Sequence, residues 1–410
     1  MLVEQLFFTI LAFGLFVYIF FKMIQKNDTN YIYILVMQAI AIAINFVGVI
    51  NNKQLSNFSI FIKYILGAII PVLVIIAEKN GIPLIQVVTV TKAKIYLKLN
   101  NSSKAKEVLI NLVSKLPNNY IGHKMLAEIY ELEGGMRKAI DEYVKVIDIN
   151  KHDYDSYFKI AELLNNLQKQ DEAKEMLTNL LNKKPDYSSA SQLLGDILIE
   201  KEMYKEAANV YQNALKYDPL NYDFNYNLGI AYTMLNDFQS AKICYEKAAE
   251  INSLSYNSKY ALAEIALIYK EIEDAEKYFL QAVDDENLSA DSYFELAKIS
   301  IIKSDLDTAV KYANIAIDED AKNIVPKIKK DTMFIPIMAK LSMPFNLENV
   351  ANKEDKMDAK SKKMKKHLEE MFEITKNLSY SDIKLLKKDD IKKEDKNYNI
   401  DKQKEIGENN

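Results

Sequence analysis

The chain has 410 residues, which is enough for two or three domains. Its net charge of −4 at pH 7 argues against a general affinity for nucleic acid. Ten glycines and eight prolines are few for this length, as is typical of a helical chain. The single cysteine, Cys244, excludes an intrachain disulfide and favours a reducing compartment.

Three apolar segments lie within residues 1–80. They are Gln5–Ile24, Tyr31–Ile50 and Phe58–Ala77, and each is long enough to cross a bilayer as a helix. Glu4 precedes the first segment and no small-residue cleavage site follows it, which disfavours a cleavable signal peptide. We therefore predict a membrane domain over residues 1–80 with three transmembrane helices. For the third segment, a re-entrant helix or one buried against the rest of the chain is the alternative.

Lysines near these segments predict their orientation. Lys22 and Lys26 flank the first connection, Lys53 stands in the second, and several lysines follow the third segment. Three spans place the first connection and the rest of the chain on one side, and basic residues concentrate on the cytoplasmic side. We therefore predict a multi-pass protein of the cell (inner, or cytoplasmic) membrane, with its N-terminus outside and the rest of the chain cytoplasmic.

From Gln86 the sequence repeats every 34 residues without insertion. The seven repeats start at Gln86, Tyr120, Tyr154, Ser188, Tyr222, Tyr256 and Ala290. The eighth residue is always small: Ala93, Ala127, Ala161, Gly195, Gly229, Ala263 and Ala297. The twentieth is always alanine: Ala105, Ala139, Ala173, Ala207, Ala241, Ala275 and Ala309. Small residues at helical spacing let two antiparallel helices approach closely, so each repeat is predicted to be a helical hairpin.

This pattern resembles the tetratricopeptide repeat (TPR), most clearly over Ser188–Asn221. The resemblance covers residues 86–323 and implies an all-α chain whose hairpins stack into a right-handed α-solenoid. The first repeat matches least well, with Lys92 where a leucine is usual, so it is expected to lie near the membrane. A bias towards lysine, asparagine and isoleucine suggests a bacterial source, and the whole resembles a membrane-anchored bacterial TPR protein.

In that family the first helix of each hairpin lines a concave groove. The resemblance implies that the groove residues here are Glu128, Phe158, Glu162, Gln192, Asp196, Tyr226, Tyr260, Glu264 and Phe294. Such an acidic and aromatic groove suits a protein or peptide segment with apolar anchors and basic residues. The alternative is that the aromatic rings pack on one another and the acids form a solvated face. The clamp that some TPR domains use for a C-terminal carboxylate is expected to be absent, because Glu128 follows Lys124 by four residues.

Two segments of different character follow the repeats. Residues 324–345 hold three prolines among apolar residues, which predicts an irregular cap over the last hairpin and no long helix. Residues 346–410 carry 16 lysines against 15 acids, which predicts a largely disordered tail. Within the tail, residues 361–378 form a possible helix with an apolar stripe of Met364, Leu368, Met371 and Phe372. This helix either stays solvated or docks on a partner, on the membrane or in the acidic groove.

No motif for catalysis, for a cofactor or for a metal is found in the sequence, so we predict that the chain is not an enzyme and binds no small-molecule substrate. The leading hypothesis is a membrane-anchored scaffold or adaptor that binds a protein partner in its groove. The alternative is a structural subunit of a membrane complex for envelope assembly, secretion or transport, with the repeats as an assembly platform. Polar residues within the apolar segments, such as Gln38, Asn45 and Lys63, would favour that alternative.

Overall fold

The computed structural model describes residues 2–50, 55–344 and 357–375. All regular structure within these ranges is helical, so the predicted all-α class of repeated hairpins is confirmed. The chain divides into two compact units, Met1–Gln168 and Lys169–Asn410. Each unit is described by itself.

The first unit begins with three long apolar helices, as predicted. They are α1 (Leu2–Lys26), α2 (Tyr31–Ile50) and a third stretch, Asn57–Lys79, made of α3 (Asn57–Tyr64), a π-helical turn (Ile65–Ile69) and α4 (Ile70–Lys79). All three are long and apolar enough to cross a membrane. Phe61 and Leu73 are exposed on the third stretch, so it is not buried against the other helices of its unit.

The π-helical turn has two causes in the sequence. Pro71 lacks the backbone N–H that would bond to the carbonyl group of Gly67, so the regular ladder is interrupted there. Gly67 also admits a neighbouring ring, because a Cβ at this position would lie 2.5 Å from Cζ of Phe8. The backbone hydrogen-bond pattern of the third apolar stretch is therefore irregular at the point where α1 packs against it.

A chain of polar contacts joins the three apolar helices. The amide nitrogen of Asn45 donates to the carbonyl oxygen of Gln5 at 3.0 Å and to Thr9 Oγ1 at 2.9 Å. Lys63 Nζ donates to Asn45 Oδ1 at 3.2 Å and lies 4.8 Å from the ring centre of Phe8. Hydrogen bonds of this kind hold helices together where no water competes. Asn45 and Lys63 are thus satisfied inside the bundle.

Helical hairpins follow in both units. In the first unit they are α5 (Leu84–Lys98), α6 (Ser102–Lys115), α7 (Tyr120–Leu132), α8 (Met136–Ile149) and α9 (Tyr154–Asn166). In the second they are α10 (Gln170–Lys183), α11 (Ser188–Glu200), α12 (Tyr204–Leu215), α13 (Tyr222–Met234), α14 (Phe238–Ile251), α15 (Tyr256–Ile268), α16 (Ile272–Ala282), α17 (Ser289–Ile302) and α18 (Leu306–Lys330). Within each unit, consecutive helices pack side by side.

The 34-residue register has a direct structural counterpart. All seven alanines at the twentieth position have no exposed surface. The fifteenth residue of every repeat has a positive φ: Asn100, Gly134, Gln168, Glu202, Asn236, Lys270 and Ser304. Six of these are not glycine, although the left-handed region costs such residues about 1–2 kcal/mol. The tight turn between the two helices of a hairpin therefore imposes its geometry on whatever residue stands there.

Tyrosine and glycine are matched in two hairpins of the second unit. A Cβ at Gly195 would lie 2.2 Å from Cζ of Tyr211, and one at Gly229 would lie 2.5 Å from Cε1 of Tyr245. Both tyrosines stand at the twenty-fourth position, and each ring fills the space that a side chain at the eighth position would need. Their hydroxyl groups reach the inner face through these gaps. Tyr211 Oη donates to Asp196 Oδ1 at 2.8 Å.

The first hairpin is joined closely to the apolar helices. Leu84 is buried in a cluster with Ile19 and Tyr31. Lys92, where a leucine is usual in the family, donates from Nζ to the hydroxyl of Tyr33 at 2.9 Å. The atypical residue of this terminal repeat thus has a specific partner on α2.

The segment after the repeats is more helical than predicted. Helix α18 runs past Pro326 to Lys330, with a break at Asp320, whose φ of −152° and ψ of 71° are not helical. Residues 324–330, the first part of the segment predicted as a cap without a long helix, are therefore helical, because Asp320 caps a new helical segment by accepting from the backbone N–H of Asn323 at 3.2 Å. Two 3₁₀ turns follow, and the ring of Phe334 there is buried.

A last helix, α19 (Ala359–Thr375), lies within the predicted tail. It begins two residues before the predicted helix of 361–378, and residues 376–378 lie outside the described ranges. The remainder of the predicted disordered tail also lies outside them, apart from Met357 and Asp358. We call α19 the tail helix.

Candidate functional site

The predicted groove residues fall into two sets. Glu128, Phe158 and Glu162 lie on α7 and α9 of the first unit, whereas Gln192, Asp196, Tyr226, Tyr260, Glu264 and Phe294 lie on α11, α13, α15 and α17 of the second. Those four helices are the first helices of consecutive hairpins. We call the surface formed by the second set the groove.

In the first unit the acidic side chains are neutralised by the unit's own lysines. Lys159 Nζ donates to Glu131 at 3.1 Å and to Glu162 at 2.8 Å. Glu128 lies on the same helix as Glu131, and burial raises its pKa, with the charge of Glu131 adding to the rise. Because Lys159 already forms ion pairs with both Glu131 and Glu162, this surface carries less net negative charge than its acidic residues alone suggest.

Lys124 is also occupied. Its Nζ lies 3.0 Å from Asp153 Oδ2, and the hydroxyl of Tyr120 bonds to the same carboxylate. Burial lowers the pKa of the Lys124 ammonium, but the hydrogen bond to Asp153 outweighs it and the pKa is raised. The lysine that a carboxylate clamp would require is therefore already paired.

In the second unit the tail helix lies in the groove. It packs against α13 and α15, and four of its side chains, spaced three or four residues apart, are buried: Ser361, Met364, Leu368 and Phe372. Met371, the remaining member of the predicted stripe, is half-buried. Of the alternatives left open for this helix, the structure shows docking in the chain's own groove.

Polar contacts fix the beginning of the tail helix. Lys360 Nζ donates to Asp196 Oδ1 at 2.7 Å and to Asn227 Oδ1 at 3.1 Å. The hydroxyl groups of Ser361 and Tyr226 lie 2.8 Å apart, and both side chains are buried. These contacts reach α11 and α13, so the first turn of the tail helix binds to two hairpins.

The middle of the tail helix pairs a lysine with a buried acid. Lys365 forms an ion pair with Asp291, and its ammonium lies 5.2 Å from the ring centre of Tyr260. Burial alone would raise the pKa of Asp291, but Lys365 and Lys327 outweigh it and lower that pKa to about 2. Tyr245 Oη donates to the thioether sulfur of Met364 at 3.0 Å. The groove thus contacts two adjacent side chains of the tail helix, the apolar Met364 and the basic Lys365.

The far end of the groove is a cavity of about 420 Å³. It is lined by Glu264, Phe294, Glu295, Lys298, Lys327, Lys330, Asp331, Thr332 and, from the tail helix, Glu369 and Phe372. Lys298 pairs with Glu295 at 2.8 Å, and Lys327 lies 3.5 Å from Glu369. Phe294, which was predicted to face the groove, stacks on Phe334 with ring centres 5.1 Å apart.

Glu264 is the exception in this cavity. Its side chain is 1% exposed, and its Oε1 has no hydrogen-bond partner among the described residues. Burial raises the pKa of Glu264 well above its ordinary value, and the nearby carboxylates of Glu295 and Glu369 add to the rise. A buried carboxyl oxygen without a partner is costly, so Glu264 is incompletely satisfied in the folded chain.

Several contact residues were missed by the sequence analysis. Tyr245 lies on α14, a second helix, and reaches the groove because Gly229 leaves room for its ring. Asn227 stands outside the family's usual inner positions, and Lys327 belongs to the segment predicted as a cap. The match of tyrosine at the twenty-fourth position with glycine at the eighth could have indicated Tyr245; nothing in the sequence pointed to Asn227 or Lys327.

Residue types that often hold metals or act as nucleophiles have structural surroundings in the described part of the chain. No cluster of three or more His, Cys, Asp or Glu side chains that could hold a metal ion occurs in residues 2–50, 55–344 and 357–375. Cys244 is buried, and burial raises the pKa of its thiol to about 12, so it is not poised as a nucleophile. His123 contacts the carboxylate of Glu142 and the carbonyl of Pro117, which is a structural role.

Comparisons with known proteins identify the repeats. Family models described as "Tetratricopeptide repeat" match residues 155–187 and 222–253, and one described as "TPR repeat" matches 195–236. No functionally characterised protein matches the chain in sequence.

Among solved structures, YrrB, described as "a TPR protein with an unusual peptide-binding site", is 23% identical and covers 46% of this chain and 98% of its own, with a TM-score of 0.41. PilF of Pseudomonas aeruginosa is 18% identical and covers 54% and 97%, with a TM-score of 0.42. A tetratricopeptide repeat protein of Parabacteroides merdae is 15% identical and covers 61% and 97%, with a TM-score of 0.39.

Proposed function

Because the chain is a tetratricopeptide repeat protein, we propose that it is a membrane-anchored scaffold that binds a segment of a protein partner in its groove. TPR proteins bind protein or peptide partners and are typically not catalytic. One observation carries the proposal for this chain. The groove holds an amphipathic basic helix along four consecutive hairpins, with its apolar side chains buried and its lysines on groove acids.

The geometry of the groove favours a helical ligand over an extended one. Buried positions of the tail helix recur every three or four residues, which is the spacing of one face of an α-helix. The ion pairs of Lys360 with Asp196 and of Lys365 with Asp291 flank that face on opposite sides. A partner helix with apolar anchors and lysine or arginine between them would make the same two kinds of contact.

Three apolar helices in the first unit support the membrane anchor. The proposed arrangement is multi-pass in the inner membrane, with the N-terminus outside and the repeats in the cytoplasm, since Lys22 and Lys26 flank the first connection. An anchor of this kind raises the local concentration of a partner at the membrane without any new contact. The scaffold then acts by recruitment.

A second candidate is a subunit of a membrane complex. Asn45 and Lys63 do not favour it, since both are paired inside the bundle. Gln38 does, because neither its amide oxygen nor its nitrogen has a hydrogen-bond partner among the described residues, although both are buried. A polar group from another membrane helix would satisfy it. If the scaffold function is correct, replacing Gln38 with leucine should leave the size of the protein purified from membranes unchanged. A decrease in size would indicate that Gln38 binds another membrane subunit.

Site-specific photo-crosslinking in native membranes tests the groove. A photoreactive residue in place of Gln192, which is half-buried in the groove, should give a discrete adduct with a partner protein. A photoreactive residue in place of the exposed Glu286 should give no such adduct. Replacing Asp196 and Asp291 with asparagine should reduce the adduct several-fold, because the change removes both charges and keeps the side-chain shape. Asp318→Asn, at an exposed position, is the control.

Alanine substitutions of the groove aromatics would be a poor test. Tyr226 and Tyr260 are at most 6% exposed, and the ring of Tyr260 packs on Phe279 with centres 5.3 Å apart. Truncating such residues costs about 3–5 kcal/mol in folding stability. In the crosslinking test, an adduct that forms equally from Gln192 and Glu286, and that persists after Asp196→Asn and Asp291→Asn, would contradict the proposed function.

A further inference from the structure

The tail helix fits one end of the groove better than the other. At its beginning and middle, each lysine that contacts the groove meets an acid: Lys360 meets Asp196, Lys363 meets Glu202 at 2.8 Å and Lys365 meets Asp291. In its last turns the tail helix instead presents Glu369 and Phe372 to the cavity. The charge complementarity of the first part is therefore not continued in the second.

Glu369 is placed among carboxyl groups. It lines the same cavity as Glu264 and Glu295, and the single cation close to it among the described ion pairs of the cavity is Lys327. Lys298 already pairs with Glu295, and Lys327 also bonds to Asp291 at 2.8 Å. Glu264 lines the cavity and is left with a buried oxygen that has no hydrogen-bond partner among the described residues.

A different helix would satisfy this position. An ammonium or guanidinium group in place of the Glu369 carboxylate would remove the repulsion and give Glu264 a charged hydrogen-bond donor. The ring of Phe294, which stays in place when the tail helix leaves, offers an apolar wall for the aliphatic part of such a side chain. The cavity has the size and lining that a long basic side chain requires.

We propose that the groove selects a basic amphipathic helix of the partner that carries lysine or arginine opposite Glu264, and that the tail helix, with Glu369 there, is a built-in competitor which this partner displaces. The inference rests on the proposed function. It adds the class of ligand and the residue that discriminates between the ligand and the chain's own tail.

Competition from the chain's own tail sets the minimum affinity that the partner needs in order to bind in the groove. Twelve residues, 345–356, join the described part of the repeat unit to the segment that begins at Met357. A segment tethered in this way acts at an effective concentration on the order of millimolar. A partner present at micromolar concentration must therefore bind about 10³-fold more tightly than the detached tail helix in order to displace it. The mismatch at Glu369 lowers the affinity of the tail and so makes displacement possible.

Peptide binding to the full-length chain in detergent micelles tests the inference. The probes are labelled peptides of residues 357–375 with the natural sequence, with Glu369→Lys, or with Glu370→Lys. Glu370 is exposed on the outer side of the helix, so its replacement is a control with the same net charge. The protein carries Leu368→Asp, which places a charge at a fully buried position and releases its own tail. Met364→Asp is a second variant that releases the tail in the same way.

The Glu369→Lys peptide should bind at least about tenfold more tightly than the natural and Glu370→Lys peptides, since it alone pairs with Glu264. Glu264→Gln in the protein should remove most of that difference. Restoring the natural tail should weaken the binding of every peptide by about 100-fold or more, through intramolecular competition. Equal gains from the two lysine peptides would mean that net charge alone acts, which would overturn the inference.

Two further outcomes separate this inference from the proposed function. If the natural peptide binds to the released groove and Glu369→Lys brings no gain, the groove still binds helices and the selectivity at Glu264 is refuted. If no peptide binds to either tail-released variant while circular dichroism shows intact helices, the groove is not a helix-binding site and both proposals fail.

Discussion

Replacing Glu264 with glutamine is the most direct measure of what the buried acid costs the folded protein. The titratable groups around its carboxyl are Tyr260 of the same helix, Glu295 and Lys298 of α17, Lys327 and Lys330 of α18, Asp331 after it, and Glu369 of the tail helix. Burial, then the charges of Glu295 and Glu369, hold the pKa of Glu264 well above 4.5. Glutamine keeps the shape of the side chain and cannot ionise.

The sign of the effect follows from proton binding. Between pH 4.5 and the raised pKa, the folded chain retains a proton on Glu264 that the unfolded chain releases, so the free energy of unfolding falls as pH rises. The loss is about 1.4 kcal/mol per pH unit, hence at most about 3.4 kcal/mol by pH 7. Glu264→Gln removes this loss. We expect the variant to be more stable than the natural protein at pH 7, by about 1–3 kcal/mol.

Thermal unfolding of the full-length chain in detergent, followed by circular dichroism from pH 5 to pH 8, measures the difference. A gain of 1 kcal/mol corresponds to about 2–4 °C in a unit of this size. The midpoint of the natural protein should fall with pH more steeply than that of Glu264→Gln, and the two should converge towards pH 5. Glu286→Gln, at an exposed position, should follow the natural protein. Parallel curves for the natural protein and Glu264→Gln would refute the reasoning.

Three other predictions concern packing, reactivity and topology. Gly229→Ala should destabilise the chain by about 1–3 kcal/mol in thermal unfolding, since its Cβ would lie 2.5 Å from the Tyr245 ring; an unchanged midpoint would show that the ring moves freely. Cys244 should react with a maleimide only after denaturation, because its thiol is buried with a pKa raised to about 12; labelling of the native protein would contradict this. In whole cells, an impermeant maleimide should label Asn57→Cys, at an exposed position, from outside and should label Thr29→Cys only after the membrane is opened. The reverse pattern would invert the proposed orientation.

The repeats were predictable from the sequence because their packing repeats locally. The small residue at the eighth position and the buried alanine at the twentieth recur at a fixed spacing within every hairpin, so the spacing alone is enough to identify the repeat. The same spacing predicted that Asp196, Tyr226 and Tyr260 lie on first helices. The apolar helices were predictable for a similar reason, since length and composition are local properties.

Contacts between distant parts of the chain were not predictable in the same way. The hydrogen bond of Lys360 to Asp196 joins residues 164 positions apart, and no periodicity links them. The lysines of the tail suggested an acidic surface but did not select it over a partner or the membrane. The helix through Pro326 was missed because the prolines argue against it, although Asp320 provides a local cap by accepting from the backbone N–H of Asn323, three residues further on.

The tyrosines that pass through the glycine gaps make the second helices part of the surface that holds the tail helix. Tyr211 bonds to the same carboxylate oxygen of Asp196 that receives Lys360, and Tyr245 bonds to Met364, although both tyrosines belong to helices on the far side of their hairpins. A substitution on that outer layer can therefore change how firmly the tail helix is held without touching any residue of the inner layer. The affinity of this chain for its own tail is thus set from the back of the hairpin as well as from its front.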